Sequence, residues 1–526
     1  MFDTIIRDGF VIDGTGAAGI NADIGISGGK IAAVGNLKQD EAAKVIQAEG
    51  YCVCPGFIDA HCHTDMYASA YPGAEGKIMQ GVTTDVCGLC GTSPVPDHYE
   101  KDHSDPRRMF GGYEAHSFRE YVESINRQGN TTNMACFIGN GSLRKAVSAL
   151  AARPASLKEL DQMKTLLAQC LQEGAWGLST GLTYVPSQYA SEEELILLSA
   201  VAANYGGIYN SHMRNEGLKV MDAIKEVIQI AQSAGIQGHI SHLKISDQKN
   251  HGKADQCLEL IHQANERGTK VGFDIYPYTA GSTSLDSLLP PEARGYEYGG
   301  GIERIPESYM ENLRLRLADD SWDNLVLSCG WDNLMVGAAE NADEYAGVSI
   351  GSIGRQMGVP PFHALLTVLE KSQNKASMVY HCMTEEDVKT FLKDPGCMIG
   401  TDGYARHYTG FTAEGKPHPR NYGAFPRFLR NYVLDQKLMS LEEGIRRITS
   451  LPADTFHLTG RGRILPGYTA DITIFNADTI RESGSYDNPA QKPKGIEWVL
   501  VAGRAGVARE TFCDIRAGRM LLHNPR

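Results

Sequence analysis

The chain has 526 residues, enough for a large core and more than one domain at roughly 100–200 residues each. Its 50 basic and 63 acidic side chains leave a net charge of −13, and no block of lysines or arginines marks a nucleic-acid or anionic-membrane surface. The start, Met1-Phe2-Asp3-Thr4-Ile5-Ile6-Arg7-Asp8, lacks the basic-then-apolar layout of a signal peptide, and no uncharged apolar run is long enough to span a bilayer. Twelve cysteines scattered along so long a chain read as reduced thiols rather than a disulfide framework, so a cytoplasmic protein with neither nucleic-acid nor membrane partners is expected.

Residues 1–55 alternate short β-like runs with turns: 4–6, 9–12, 23–26, 30–34 and 43–48. From 56 onward, strand-like runs alternate with helical patterns, the signature of a parallel sheet wrapped by helices. The candidate strands are 56–61, 82–90, 133–140, 175–180, 207–212, 237–242, 271–277, 378–382 and 397–402. They are one too many for a (β/α)8 barrel, so one of 271–277 and 378–382 is accessory. Ser191-Glu192-Glu193-Glu194 reads as a capping box opening a helix, and Thr384 with acidic residues behind it opens another. Residues 285–350 interrupt the rhythm and read as an insertion with a short strand at 324–329. Strand-like texture returns at 464–475 and 496–503, so the two termini are expected to pair in one small β-domain, a β-sandwich built from 1–55 and 460–526 beside a barrel spanning 56–459.

Several of the barrel candidates end in metal-ligand chemistry. In Pro55-Gly56-Phe57-Ile58-Asp59-Ala60-His61-Cys62-His63, residues 61 and 63 fall on one side of an extended chain and can aim both imidazoles at one ion. Cys90, His212, His242 and Asp402 each close a β-like run. Residues at the C-terminal ends of barrel strands converge on the face where active sites sit, and this mixture of imidazole, thiolate and carboxylate suits one or two zinc ions. Two other motifs are set aside. Gly14-Thr15-Gly16-Ala17-Ala18-Gly19 matches the dinucleotide fingerprint, but a β-like run follows where a helix is needed. Cys87-Gly88-Leu89-Cys90 has no helix start behind it and no second pair, which leaves Cys87 as a buried thiol. Cys62, His239 and His381 lack the position or the partner to join the ligand set.

The Pro-Gly-Phe-Ile-Asp-x-His-x-His opening, the split β-domain and the ordered histidines and aspartate resemble the amidohydrolase superfamily. Within it, the segments Gly81–Gly91, Ser211–Glu216, Ile240–Lys244, Tyr276–Thr283 and His418–Arg420 are similar to the D-aminoacylases, the N-acyl-D-amino-acid deacylases. The resemblance covers nearly the whole chain. Cys90 is its specific part, because many superfamily members bridge their metals with a carboxylated lysine on the fourth strand, and 176–181 has no lysine.

The resemblance implies a tightly bound zinc on Cys90, His212 and His242, a second and weakly filled site on His61, His63 and Asp402, and Asp402 as the catalytic proton shuttle. It further implies a carboxylate pocket of Arg420, Lys244, Tyr278 and Ser282, with Tyr276 a near neighbour of Tyr278 in the same motif. The expected activity is zinc-dependent hydrolysis of the linear amide of an N-acyl-D-amino acid, a small molecule. The alternatives are a cyclic amidase of the dihydroorotase or hydantoinase kind, disfavoured by the missing lysine, and a scaffold that kept the fold and lost its ligands, of which none is lost here.

Overall fold

The computed structural model describes residues 1–96, 115–294 and 307–524. Two parallel sheets occupy the middle of the chain. One runs Cys397–Ile399, Val271–Ile275, Gln237–Ile240, Ile208–His212, Gly177–Gly181, Ile138–Gly139; the other runs Met520–Leu521, Asn133–Cys136, Val82–Cys87, Phe57–Asp59. They meet on both sides. Asn133–Cys136 continues across Phe137 into Ile138–Gly139, while Asp402 N donates to His61 O at 2.7 Å, His63 N to Gly403 O at 2.8 Å and Ala60 N to Ile399 O at 3.2 Å. Because the strands run the same way, the residues that follow them gather on one face.

Strands such as Val82–Cys87 and Gly177–Gly181 are buried throughout, as expected of parallel strands covered on both faces. The covering helices carry apolar stripes: Val220–Ala234 buries Val220, Ala223, Ile224, Val227, Ile230 and Ala231, and Gly235 ends it with φ 63°. Ser191 caps Glu192–Ala203, accepting from Glu194 N at 3.2 Å. The predicted box is only half formed, because the Glu194 carboxylate turns instead to Arg144 Nη1 at 2.7 and 2.8 Å, a buried ion pair. Thr384 caps Glu385–Lys393 as expected.

The strand expected at 378–382 is Ala376–Tyr380, and it lies antiparallel between Gly281–Ser284 and Leu334–Ala339, outside the parallel sheets. It is the accessory strand, and Val271–Ile275 belongs with the parallel set. The strand expected at 324–329 is a helix, Leu325–Cys329, because Asn324 Oδ1 accepts from the N–H groups of Val326 and Leu327 at 3.1 and 3.3 Å and so starts a helical turn. The strand lies at Leu334–Ala339 instead. Residues 295–306 of the expected insertion lie outside the described residues. One pair departs from the expectation of free thiols: Cys329 and Cys382, with Cα atoms 5.1 Å apart, form a disulfide that ties this helix to the end of the accessory strand.

Both termini enter a nine-stranded sheet, joined where Ile472–Phe475 pairs antiparallel with Cys52–Pro55. Residues 14–19 form a loop there, followed by the strand Ile20–Ser27, so the glycine-rich match has no helix to hold a phosphate. The last strand, Met520–Leu521, leaves that sheet and pairs with Asn133–Cys136. Among the described residues no helix is long and apolar enough to cross a membrane.

Candidate metal centre

His61 and His63 follow Phe57–Asp59, Cys90 follows Val82–Cys87, His212 ends Ile208–His212, His242 follows Gln237–Ile240 and Asp402 follows Cys397–Ile399. The structure brings all of them together. Cys90 Sγ lies 3.3 Å from His61 Nε2 and 3.4 Å from His242 Nε2, and His212 Nδ1 lies 3.0 Å from His242 Nε2. Asp402 Oδ1 is 3.1 Å from His63 Nε2 and 3.7 Å from His61 Nε2. Cys90, His242 and Asp402 have φ of 50°, 34° and 46°, left-handed values that cost non-glycine residues of order 1–3 kcal/mol. Neighbouring contacts hold them there: His242 N donates to Asp274 Oδ1 at 3.0 Å, and Asp402 N to the His61 carbonyl. Gly400 permits this approach, since a Cβ there would sit 2.5 Å from His61 Cβ.

These donors fit a divalent cation better than protons. Burial pushes the Cys90 thiol well up, with the Asp402 and Glu216 carboxylates adding to it. Burial also pushes the His212 imidazole down to about 3 and lowers that of His242. A buried thiol beside neutral imidazoles and a carboxylate is a donor set that a zinc ion satisfies and that protons do not.

A supporting layer fixes the ligands. Glu216 Oε1 lies 2.9 Å from His242 Nδ1 and accepts from Lys244 Nζ at 2.6 Å. Lys244 Nζ is also 2.8 Å from His242 Nδ1, but that nitrogen cannot both donate to the carboxylate and accept from the ammonium. With Nε2 facing the cluster, Nδ1–H donates to Glu216, and Lys244 spends its proton on the same carboxylate. Asp274 Oδ2 lies 2.8 Å from His239 Nε2 and 3.7 Å from His61 Nδ1, so His239 stands behind the cluster, not in it.

Beneath His61, the fully buried Lys77 ammonium pairs with Asp59, lies 3.3 Å from Asp85 and donates to Thr401 Oγ1 at 2.8 Å. Asp59 also accepts from Thr401 N at 2.8 Å, which clamps the His61 and Asp402 strand ends together. Removing one partner of a buried ion pair costs about 3–5 kcal/mol, so Lys77→Met should lower the unfolding free energy by that order in a denaturant titration. A change of under about 0.5 kcal/mol would remove the clamp from this account.

A buried arginine adjoins the cluster. Arg420 Nη2 forms an ion pair with Asp402 Oδ2 at 2.9 Å and donates to the Ser282 carbonyl at 3.1 Å, so Ser282 acts here through its backbone. The Nε and Nη1 donors of this buried guanidinium have no partner. Its Cζ lies 4.6 Å from the centre of the Tyr276 ring, and the buried Tyr276 hydroxyl is also without a partner. Tyr278 is elsewhere: its hydroxyl donates to Glu482 at 2.6 Å and its ring packs on Arg427. The physical cause is a three-residue turn, Tyr278 N to Tyr276 O at 2.9 Å, which breaks the strand alternation and rotates Tyr278 away. His418 donates from Nε2 to the Ala280 carbonyl at 2.9 Å and accepts the Arg420 N–H at Nδ1, tying the arginine to the Ser282 loop.

Three comparisons with known proteins bear on this geometry. The Amidohydrolase family profile matches residues 373–505. The N-acyl-D-glutamate deacylase of Alcaligenes xylosoxydans xylosoxydans is 33% identical over 520 residues, covering 99% of this chain and 96% of that protein. The chain belongs to the D-aminoacylase family of amidohydrolases. A crystal structure of D-aminoacylase superposes with a TM-score of 0.84 at 32% identity, covering 99% of this chain and 100% of the other. The N-acyl-D-glutamate deacylase of Bordetella bronchiseptica, solved with zinc and a phosphonate that mimics the tetrahedral intermediate, gives 0.85 at 31% identity, with 99% of each chain covered.

This amidohydrolase also carries residues that motif reading passed over. Glu216 lies in the motif quoted for His212, yet a carboxylate four residues past a strand end has no signature until the fold turns it back. Lys77 and Asp274 gave no signal, since their partners lie on other strands. Cys87, Cys62 and His381 stay outside the cluster: Cys87 is a buried thiol, Cys62 sits with Asp59 and Asp85, and His381 packs on Tyr486 at 4.8 Å.

Proposed function

We propose that the protein is a zinc-dependent N-acyl-D-amino-acid deacylase that releases a D-amino acid and a small carboxylic acid. Cys90, His212 and His242 hold the tight ion, and His61, His63 and Asp402 offer a second, weaker site. A zinc ion held there supplies Lewis acidity, polarising the scissile carbonyl and acidifying the attacking water. Asp402 takes the water's proton and delivers it to the leaving amine, one carboxylate serving as base and then acid. Arg420, with Lys244 and Tyr276 beside it, receives the α-carboxylate. The single observation that carries this reading is the Arg420 guanidinium, buried with two unpartnered donors yet ion-paired with Asp402. A cyclic amidase would call for a carboxylated lysine on the strand Gly177–Gly181, which has none.

We read the two parallel sheets as one closed (β/α)8 barrel over 56–459, with 1–55 and 460–526 as the small β-domain; the hydrogen bonds between the His61 and Asp402 strand ends support closure. A net charge of −13 supports a small-molecule substrate rather than a nucleic-acid partner.

The test is a panel of N-acetyl-D-amino acids with their L-forms, assayed for free amine. Release from the D-forms only is expected, and equal rates for both forms would rule out the stereochemical reading. Arg420→Ala should cost about 2–5 kcal/mol of transition-state binding, read as kcat/KM, with Arg420→Lys in between because ammonium lacks the planar fork. An N-acyl amine without the carboxylate should barely notice the change. Equal loss on both substrates would make Arg420 structural.

A further inference from the structure

A narrow cleft opens beside the cluster. Thr183, Tyr184, His212 and Glu216 form its inner wall, and Arg294, Asp323 and Tyr380 are among the residues of its outer wall. The outer wall is built largely by the 285–350 insertion. Arg294 anchors one nitrogen on the Thr183 carbonyl at 3.0 Å, and its guanidinium lies over Trp322, but its buried Nε has no partner. Asp323 receives the Glu216 backbone N–H, yet its buried Oδ1 has no partner either. Arg294 Nε and Asp323 Oδ1 thus leave an unpartnered donor and an unpartnered acceptor among the residues that line one cleft.

We propose that this wall reads a neutral carboxamide on the side chain of the D-residue, its oxygen accepting from Arg294 and its NH2 donating to Asp323, so that D-glutamine or D-asparagine derivatives are preferred. The inference rests on the deacylase reading and deepens it. Burial and the nearby Glu216 push the Asp323 carboxyl up to about 7, so where it is ionised, above that pH, a carboxylate in the same place would satisfy Arg294 but face a second carboxylate with Glu216 close behind, and the discrimination against glutamate is read there. An alkyl side chain would leave both polar groups dry and unpaired, and a site built to hydrogen-bond a substrate rejects analogues that cannot answer it. A carboxamide alone satisfies donor and acceptor together.

The experiment compares kcat/KM of the zinc-loaded enzyme for N-acetyl-D-glutamine, N-acetyl-D-asparagine, N-acetyl-D-glutamate, N-acetyl-D-leucine and N-succinamoyl-D-leucine. The better of the two amide side chains should exceed glutamate and leucine by about tenfold or more. Asp323→Asn, which keeps the shape and removes the charge, should swing the glutamine-to-glutamate ratio toward glutamate, and Arg294→Met should lower both polar substrates relative to leucine. Ratios are read, so a general loss of activity does not mimic the result, and thermal unfolding checks that each variant is folded. A preference for glutamate or leucine that Asp323→Asn leaves unmoved overturns the proposal. A preference for the amide in the acyl group alone overturns its placement on the side chain. Failure to hydrolyse any N-acyl-D-amino acid defeats the deacylase reading, and calorimetric binding of N-acetyl-D-glutamine against N-acetyl-D-glutamate, to wild type and Asp323→Asn, still decides the cleft.

Discussion

Cys90→Ala is expected to empty the tight zinc site and abolish turnover, the largest effect of any single substitution in this protein. The reason is charge. In the proposed ligand set His212 and His242 are neutral, and Cys90, 3.4 Å from His242 Nε2, is its one anionic donor. Without it, a dication would rest on two imidazoles and on the shared Glu216, whose oxygen is already taken by Lys244. Deprotonation of Cys90 is disfavoured by burial and by the neighbouring carboxylates, so the proposed thiolate ligand would exist there only where a metal rewards it. Element analysis after dialysis should find the tight-site zinc largely gone. Glu216→Gln, which leaves every ligand in place and weakens the carboxylate's contacts with His242 and Lys244, should be milder, about 10–100-fold in metal affinity. Full zinc content in an active Cys90→Ala protein would return Cys90 to the class of inert buried thiols.

Much of this site was legible in the sequence because parallel-sheet chemistry is local in one respect: the candidate ligands close five strands, His61 and His63 sharing one, so a strand pattern followed by His, Cys or Asp names them. His61, His63, Cys90, His212, His242 and Asp402 were all readable in this way, and the structure gathers them. What was not legible depends on how the chain turns after the strand. Tyr278 and Tyr276 share parity, and only the tight turn between them decides which reaches Arg420. Lys77, Asp274 and Glu216 are invisible to pattern reading because each supports a ligand through space, from a different strand or loop. The helix at Leu325–Cys329 reads as a strand by its apolar run, Leu-Val-Leu, until the Asn324 cap is recognised. In the same way, Glu194 looks like the second half of a capping box but pairs with Arg144, a distant cation that local rules do not contain.

Asp402→Asn should leave the tight zinc bound and lower kcat by several orders of magnitude. General acid–base groups contribute roughly 10²–10⁴-fold, and this carboxylate also helps hold the attacking water, so the loss should exceed that range. The geometry singles it out. Asp402 lies at the junction of the two halves of the site, its Oδ1 3.1 Å from His63 and its Oδ2 2.9 Å from Arg420. Burial works against its ionisation, but Arg420 and the nearby imidazoles hold its carboxyl well below the usual carboxylate range, so the base form is in place before substrate arrives. In the proposed mechanism substrate then changes its neighbourhood: with the α-carboxylate on Arg420, the guanidinium would be shared between two anions, and Asp402 would become a better proton acceptor at the moment a proton must be taken. Asparagine matches the shape and keeps an oxygen for Arg420, but it can neither accept that proton nor return it. Zinc content and kcat measured on the same Asp402→Asn preparation separate the two roles. Retained zinc with near-normal kcat would exclude the proton shuttle, whereas loss of zinc from the Cys90, His212 and His242 site would show that Asp402 is needed to build that site and not only to move the proton.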